Sequence, residues 1–300
     1  MILLLGDVGE EVLGLVVARL AKARAEFILV DSRADRHAVD LAWRADCDGA
    51  GGWLRSGEQT VALADLCSVY VRDIGRAEET PTSGTIIAKS GMLEGLPCRV
   101  VNRPSANATN ASKPYQSLII ARHGLAVPQT LVTTIPAQAA HFYERCQGRV
   151  VFKSVSYQRS IVRKMTPQDL GRLDQVRRTP TQFQEYVPGI DVRVHLVGDE
   201  LFATEVLSTA SDYRYAARED RTVHMRDVEL PPRVEESCRS LARSLGLEFA
   251  GIDLRRTPDD RWFCFEANGS PGFTYFQAVS GQPIGDALVA LLMVGSRALP

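Results

Sequence analysis

The segment from residue 248 to 267 restricts the possible folds of this 300-residue chain most, because it has the pattern of one antiparallel hairpin. Two runs of alternating apolar and polar residues, Glu248–Arg256 and Arg261–Ala267, flank the sequence Thr-Pro-Asp-Asp. A period of two is typical of β-strands, and Pro and Asp favour turns. We therefore predict two paired strands joined by a loop at Pro258–Arg261.

Three oxygen-bearing side chains on this hairpin form a candidate metal site, namely Asp253, Glu266 and Asn268. Glu266 and Asn268 are two residues apart, so a strand places both on one face, and Asp253 would lie opposite Glu266 in such a pairing. Two carboxylates and one carboxamide are a hard, all-oxygen ligand set that suits Mg²⁺ held with nucleotide phosphates. The alternative is a surface hairpin with an acidic turn.

Composition limits the classes of partner. With 45% hydrophobic and 24% charged residues and a formal net charge of -1, we expect a soluble protein of about two domains without attraction to nucleic acid or anionic membranes. No apolar run approaches the ~18 residues of a membrane span, and acidic residues follow the apolar start too closely for a signal peptide. Six cysteines without a C-x-x-C pair argue against zinc and disulfides and favour a reducing cytoplasm.

The N-terminus has the pattern of a strand, a helix and a second strand at Ile2–Leu5, Gly9–Ala25 and Phe27–Val30. This order predicts a small open α/β domain over the first hundred residues. The first loop lacks the G-x-G-x-x-G spacing of a dinucleotide site. Glu10 and Glu11 would also oppose a pyrophosphate at the helix start. Residues 75–114 are polar, and we predict an irregular crossing between domains there.

Two segments in the middle of the chain could contact a nucleotide. Lys153 ends the apolar run Val150–Phe152, which would bury its stem and present its ammonium to a cleft; the alternative is a lysine that keeps an edge strand soluble. Gln184–Val187 has the pattern of a strand that must stop at Pro188, which has no N–H. Backbone groups next to such a stop can pair with adenine, although strand ends with Pro-Gly are common.

Asp191, Arg193 and His195 alternate along one strand face. They either form a solvated face or line an anion-binding cleft, in which Arg193 would hold a carboxylate or phosphate in bidentate fashion and Asp191 would accept from a ribose hydroxyl. In the polar-aromatic loop that follows, Arg214 could neutralise charge on a transferring phosphoryl group. His195 could act as a base, but a lone strand histidine is more often structural.

These pieces occur in an order that resembles the ATP-grasp superfamily, specifically its RimK-like branch of carboxylate ligases. The order is Lys113, Lys153, QEYVPG, DVRVHLVGDEL, DYR, AGIDL and FEANGSPG, over about residues 100–300. Asn102-Arg103-Pro104, the segment from SKPYQ to TLVTT and SGQPIGDALVALL are similar to the microviridin-type (graspetide) ligases. FEANGSPGF is similar to the corresponding loop of glutamate ligases.

The resemblance implies an α+β ATP-grasp fold, in which two α+β subdomains clasp ATP behind a small α/β pre-ATP-grasp domain. The implied boundaries are residues 1–105 for that first domain, 106–185 for the central or lid subdomain, and 186–300 for the C-terminal subdomain with the metal site. Where many ATP-grasp enzymes carry a glycine-rich phosphate loop, this chain reads Ser-Val-Ser-Tyr-Gln-Arg-Ser. A lid that is short or closes differently is therefore expected.

The resemblance also implies a role for each candidate site residue. Lys113 and Lys153 would contact the phosphates of ATP, and Arg193 and Arg214 would contact the γ-phosphate and the acyl-phosphate. Glu185 and Val187 would pair with adenine through backbone atoms, with Tyr186 beside it, and Asp191 would contact the ribose. Asp253, Glu266 and Asn268 would bind Mg²⁺.

The activity implied is ATP-dependent activation of a carboxylate as an acyl-phosphate, which an amine or hydroxyl then displaces. The cofactors would be ATP and two Mg²⁺ ions, with Mn²⁺ as an alternative metal. The expected partners are ATP and a peptide or small amino-acid-like carboxylate, without nucleic acid or membrane, and a homodimer stays open. A second hypothesis is a nucleotide-binding regulatory module of the same fold that has lost ligation.

Overall fold

The computed structural model describes residues 1–31, 39–47, 49–72, 84–154, 162–208 and 223–294. Their strands form four sheets, of which one is parallel and three are antiparallel. Helices cover the sheets, so the chain is α+β as predicted. Among the described residues, no helix has the length and apolar character that crossing a membrane requires.

The N-terminal part contains a parallel sheet and a small antiparallel sheet. Its elements are, in chain order, β1 (Ile2–Gly6), α1 (Glu11–Lys22), β2 (Phe27–Asp31), β3 (Val39–Asp46), β4 (Gly49–Ser56), β5 (Gln59–Ala62), β6 (Ser68–Val71), α2 (Gly84–Gly95) and β7 (Arg99–Val101). The parallel sheet has the order β2-β1-β6-β7, and β3, β4 and β5 form the second sheet. The predicted strand-helix-strand start is confirmed, with a shorter helix.

The prediction of an irregular segment over 75–114 is wrong for its described part. Helix α2 and strand β7 lie there, and a 3₁₀-helix follows at Pro104–Ala111. Met92 and Leu93 of α2 are buried in the core of the N-terminal part. Three glycines within twelve residues of α2 weaken its helical pattern in the sequence. One of them, Gly91, allows the Trp43 ring to pack against the helix, with its nearest ring carbon 3.4 Å from the position of a Cβ.

The central part is a four-stranded antiparallel sheet with α4 packed against it. Its elements are β8 (Thr130–Thr133), α4 (Pro136–Arg145), β9 (Val150–Ser154), β10 (Arg163–Lys164), α5 (Pro167–Leu170) and β11 (Thr181–Glu185). Helix α3 (Lys113–Ala121) precedes them in the chain, and its Ile120 lies in the core of the C-terminal part. The strand order is β10-β9-β11-β8. Phe142 of α4 packs with Val150 and Phe183 in a small separate core. The predicted pairing of Ser160–Arg163 with β9 begins only at Arg163, since residues 155–161 lie outside the described ranges.

The C-terminal part is a five-stranded antiparallel sheet of order β14-β13-β12-β15-β16. Its elements are β12 (Ile190–Val197), β13 (Glu200–Ser208), β14 (Val223–Asp227), α6 (Pro232–Leu245), β15 (Phe249–Arg256), β16 (Trp262–Asn268), α7 (Thr274–Ser280) and α8 (Ile284–Met293). The predicted hairpin is confirmed as β15 and β16, joined by residues 257–261.

The two faces of this large sheet have different neighbours. Val194 and Ile252 point to one side and share a core with Leu241 of α6. Val197 and Phe249 point to the other side and share a core with Leu13 of α1 and with α8. This second core joins the N-terminal part to the large sheet. The rest of the same face, toward Asp191 and Asp253, forms one wall of a cleft, and the central sheet forms the opposite wall.

Candidate functional site

An open cleft lies between the central sheet and the large sheet. The central part and the segment after it contribute Lys153, Lys164, Gln184, Glu185, Tyr186 and Val187. The large sheet contributes Asp191, Arg193, Asp253, Arg255, Phe265 and Glu266. The cleft therefore brings together eight of the eleven residues that the sequence singled out. Lys113 and Asn268 lie beside it through contacts described below, and Arg214 lies outside the described residues.

The floor and roof of the cleft are apolar between these polar groups. Val151 and Val162 line it on the central side, and Phe265 lines it on the side of the large sheet. Lys164 lies over the ring of Tyr186, with its ammonium nitrogen 4.1 Å from the ring centroid. A flat heterocycle fits such a slot, because both its faces can pack on apolar groups while its edge meets polar ones.

The strand end at Glu185–Val187 has one backbone donor available for a ligand. The N–H groups of Glu185 and Tyr186 donate to the carbonyl oxygens of Gln129 and Arg149, each at 2.9 Å. The Val187 carbonyl accepts from Nη1 of Arg255 at 2.9 Å. Within the described ranges the Val187 N–H makes no hydrogen bond. Pairing through the backbone N–H of Glu185 would break a bond, so a donor to adenine is more readily supplied by Val187.

Arg255 is a cleft residue that sequence reasoning missed. Its guanidinium lies 2.6 Å from Oδ1 of Asp191, the predicted ribose contact, and packs over the ring of Phe265 at 5.1 Å. The available signal was alternation, since Arg255 is two residues after Asp253 and strand residues two apart share a face.

The predicted metal residues lie on the β15–β16 hairpin as expected, with one difference in the strand. Asp253 is the direct ladder partner of Glu266, and the register shifts between Asp253 and Leu254. Leu254 pairs with Cys264, so Phe265 is the extra residue of a β-bulge. The buried core side chains before the bulge are Trp262 and Cys264, and after it Ala267. The bulge thus changes the alternation and places Glu266 on the cleft side. Without the bulge, strict alternation from Cys264 would place Glu266 in the core.

Each of the two carboxylates carries a cation. Arg193 forms an ion pair with Asp253, and the ammonium nitrogen of Lys113 lies 2.6 Å from Oε1 of Glu266. Asn268 is joined to this group, because its Oδ1 accepts from Nδ2 of Asn110 at 3.4 Å and from the Ser270 N–H at 2.9 Å.

This donor set fits a hard divalent cation. The side chains of Asp253 and Glu266 are 28% and 22% exposed, so both can reach a ligand in the cleft. Across the ranges that the structure describes, no three His, Cys, Asp or Glu side chains converge on one point. Two carboxylates leave room for phosphate oxygens and water, which is how Mg²⁺ is usually held with a nucleotide.

Arg193 reaches Asp253 across a glycine. A Cβ at Gly251 would collide with Nη2 of Arg193 and would lie 2.7 Å from Cβ of Pro271. The Arg193 side chain is 9% exposed, so its guanidinium is held between the sheet and the loop after β16. A glycine is required here by this close approach rather than by a turn.

His195 is buried away from the cleft. It is 0% exposed, its Nε2–H donates to the Gly272 carbonyl at 3.1 Å, and its ring packs on the edge of Phe276. Burial, followed by the nearby Arg193 charge, lowers the pKa of His195 to about 3. The imidazole is therefore neutral near pH 7 and supports the loop that follows β16, which fits the structural alternative and not a base in the cleft.

The N-terminal part holds the same loop from the opposite side. Arg72, at the end of β6, donates from Nη1 to the Pro271 carbonyl at 3.0 Å. Its Nε donates to Oε2 of Glu10 at 2.9 Å. Glu10 therefore orients Arg72. Sequence reasoning missed Arg72, and no local pattern marks it.

Comparison with known proteins places this geometry in a family. A model of the RimK-like ATP-grasp domain matches residues 110–292, more than half of the chain. The alpha-aminoadipate–LysW ligase LysX of Sulfurisphaera tokodaii is 25% identical over 250 residues, which cover 78% of this chain and 83% of LysX.

Two solved structures have the same fold over nearly the whole chain. Macrocyclase MdnC of Microcystis aeruginosa MRC, bound with precursor peptide MdnA, matches with a TM-score of 0.80 at 20% identity, covering 98% of this chain and 99% of MdnC. The ATP-grasp ligase PsnB, complexed with minimal precursor, Mg and ADP, matches with a TM-score of 0.78 at 22% identity, covering 97% and 98% of the two chains. At this identity the likeness confirms the ATP-grasp fold.

Proposed function

Because the chain belongs to the RimK-like ATP-grasp family of ligases, we propose that it is an ATP- and Mg²⁺-dependent ligase that activates a carboxylate as an acyl-phosphate. The observation that carries the proposal is the cleft itself. One cleft contains Lys153, the strand end at Val187 and the paired carboxylates Asp253 and Glu266. This is the set that a magnesium nucleotide needs, namely cations and a metal site for the phosphates and an apolar slot for the base.

The nucleotide would lie along the cleft with its base between Val151 and Phe265. Val187 would donate its backbone N–H to the base, and Asp191 would accept from the ribose. Lys153 and Lys113 would contact phosphate oxygens. Mg²⁺ bound by Asp253, Glu266 and Asn268 would neutralise charge on the phosphates.

The reaction would proceed in two displacements. A substrate carboxylate oxygen attacks the γ-phosphorus, and the bond to the bridging oxygen breaks to release ADP. An amine or hydroxyl then attacks the acyl carbon, loses its proton, and inorganic phosphate leaves. Arg193 would exchange its Asp253 partner for phosphoryl oxygens once the nucleotide is bound. We propose that Arg214 also neutralises the negative charge of the transferring phosphoryl group. Such catalysis consists mainly of positioning and charge stabilisation.

The substrate we propose is a peptide or an amino-acid-like carboxylate, and the product is an amide or an ester. LysX is named for ligating alpha-aminoadipate to LysW, and MdnC is bound to a precursor peptide; both names support this class. In this proposal residues 1–105 form the pre-ATP-grasp domain, 106–185 the lid and 186–300 the metal-bearing subdomain. Two Mg²⁺ ions would be bound per active site, and Mn²⁺ could replace them.

The test is release of ADP and phosphate with Mg²⁺ when candidate carboxylates and acceptors are added to the full chain. The matched control is the double variant Asp253→Ala, Glu266→Ala. We expect a carboxylate to stimulate release in the wild type and not in the variant. ATP binding without turnover above the variant, whatever carboxylate and acceptor are supplied, would contradict the ligase and favour the regulatory module.

A further inference from the structure

Ala267 lies between the two candidate metal ligands Glu266 and Asn268, and one buried side chain binds both of its backbone groups. Gln116 of α3 accepts from the Ala267 N–H through Oε1 at 3.0 Å and donates from Nε2 to the Ala267 carbonyl at 2.8 Å. Gln116 is 1% exposed. Its carboxamide thus pairs with the strand as a neighbouring strand would.

This pairing occurs on the open side of the sheet. β16 is the edge strand next to β15, so its outer N–H and carbonyl groups have no strand to pair with. Before the bulge, the backbone of Ala126 pairs with these outer groups: it accepts from the Cys264 N–H at 2.8 Å and donates to the Trp262 carbonyl at 3.2 Å. After the bulge, the Gln116 side chain pairs with the outer groups of Ala267. The edge strand is therefore held on both sides of Phe265.

The bulge decides which face Glu266 occupies. Cys264 and Ala267 both point into the buried core, and the extra residue between them turns Glu266 to the cleft. A strand that slips by one residue exchanges its two faces. The two hydrogen bonds from Gln116 to Ala267 fix the bulged register at the residue next to Glu266.

The same segment binds the neighbours of Ala267 as well. Asn110, Lys113 and Gln116 follow one another at intervals of three residues. Asn110 contacts Asn268 and Lys113 contacts Glu266, so the three side chains bind three consecutive residues of β16. Gln116 is the member of this set that binds the strand through backbone groups alone.

We propose that Gln116 is a positioning residue for the metal site: its clasp on Ala267 holds Glu266 and Asn268 toward the cleft, and affinity for the divalent cation depends on it. The inference rests on the proposed function, because it concerns the metal of that site. Groups that orient metal ligands without touching the metal typically change metal affinity by about 10–100-fold when they are replaced.

The test is binding of Mn²⁺ to the full chain with saturating ADP, followed by the electron paramagnetic resonance signal of free Mn²⁺. The variant is Gln116→Met, which keeps an unbranched side chain of similar length and a good helix former but cannot form either hydrogen bond. The control is Ile120→Val, a buried core residue one turn further along α3 that loosens packing without changing a hydrogen bond. Apo thermal unfolding is measured for each protein.

We expect Gln116→Met to raise the Kd for Mn²⁺ by about tenfold or more, and Ile120→Val to leave it within about twofold of wild type. In turnover assays the variant should show a higher KM for Mg²⁺ and recover most of its kcat at saturating Mg²⁺. A Kd for Gln116→Met within about twofold of wild type would overturn the proposal, even if the variant unfolds at a lower temperature.

If Gln116→Met does not fold, Thr109→Val decides the question. The Thr109 hydroxyl accepts from Nε2 of Gln116 at 3.2 Å and so helps to orient its carboxamide. A raised Kd in this variant supports the proposal, and an unchanged Kd overturns it. The proposed function fails separately, if wild type binds Mn²⁺ no better than the Asp253→Ala, Glu266→Ala variant.

Discussion

Asp253 and Glu266 are direct partners across the β15–β16 ladder, and each carries a cation from another element, Arg193 and Lys113. Two carboxylates held side by side repel each other, and the two cations relieve this repulsion. A divalent cation in the cleft would serve the same purpose. The arrangement holds the two carboxylates side by side in the absence of a metal.

Glu266→Gln should abolish most Mg²⁺-dependent activity. The amide keeps the shape of the side chain but removes the charge that binds the metal and pairs with Lys113. We expect turnover to fall by about 100-fold or more and the KM for Mg²⁺ to rise, since even residues behind the ligands affect metal affinity by about 10–100-fold. Turnover measured against Mg²⁺ concentration checks this.

The matched control is Glu248→Gln, just before β15 of the same hairpin. Glu248 forms an ion pair with Arg99 at 3.2 Å and is 41% exposed. Its substitution should leave the Mg²⁺ dependence unchanged. Equal effects of the two substitutions would show that Glu266 acts through the stability of the hairpin and not through a metal.

Lys164→Gln should weaken ATP binding. Its ammonium lies over Tyr186 at the edge of the cleft in which we propose that the nucleotide binds, and the Lys164–Tyr186 contact that shapes this edge is of a kind that contributes about 0.5–2 kcal/mol. We therefore expect the KM for ATP to rise by about 2–30-fold with a smaller change in kcat. Arg163→Gln serves as the control, because Arg163 is the adjacent residue of β10 and points to the opposite face. A larger effect from Arg163 would place the nucleotide elsewhere.

Gly251→Ala should displace Arg193. The new Cβ would collide with the guanidinium and would also lie 2.7 Å from Cβ of Pro271. Overpacking of this kind costs about 1–3 kcal/mol, and turnover should fall further than stability explains. Gly14→Ala on α1 is the control: a Cβ there meets nothing within 4 Å, and alanine in a helix should stabilise the chain by about 0.5–1 kcal/mol. Normal turnover in Gly251→Ala would rule out a role for Arg193.

Stability should fall below about pH 6.5 because of His195. Its pKa is lowered from 6.5 to about 3 in the folded chain, so the unfolded chain binds a proton that the folded chain does not bind until about pH 3. The stability is therefore complete above pH 6.5 and decreases by about 1.4 kcal/mol per pH unit as the pH falls through this window.

Urea unfolding at about pH 7 and about pH 5 checks the sign of this change in the free energy of unfolding. Carboxylates also titrate toward the acid end, so the informative quantity is the difference between wild type and His195→Gln. Wild type should lose about 2 kcal/mol more than the variant between these pH values. Parallel pH dependence in the two proteins would mean that His195 is not the buried neutral group described above.

The hairpin and the pairing of Asp253 with Glu266 could be predicted from the sequence, but the bulge that puts Glu266 in the cleft could not. Strict alternation places Glu266 on the same face as Cys264 and Trp262, whereas the structure has these two in the core and Glu266 in the cleft. The bulge at Phe265 reconciles the two patterns. No glycine marks the bulge, and its register depends on Gln116, which lies 151 residues earlier in the chain.

Other differences have a similar origin. Arg72 and Pro271 meet across 199 residues, and hydrophobic periodicity contains no information on such a contact. Helix α2 was missed because its glycines weaken a pattern that tertiary packing then stabilises. Alternation along β12, by contrast, correctly placed Asp191 and Arg193 on one face, because that strand has no bulge.

The most direct test of the account is transfer of ¹⁸O from the carboxylate of the substrate to inorganic phosphate. A carboxylate that stimulates ADP release is labelled with ¹⁸O and incubated with the full chain, ATP, Mg²⁺ and an acceptor, and the phosphate is analysed by mass spectrometry. We predict one labelled oxygen in each phosphate released during ligation, and no phosphate release by the Asp253→Ala, Glu266→Ala variant. Ligated product together with unlabelled phosphate would contradict the acyl-phosphate and with it the proposed reaction.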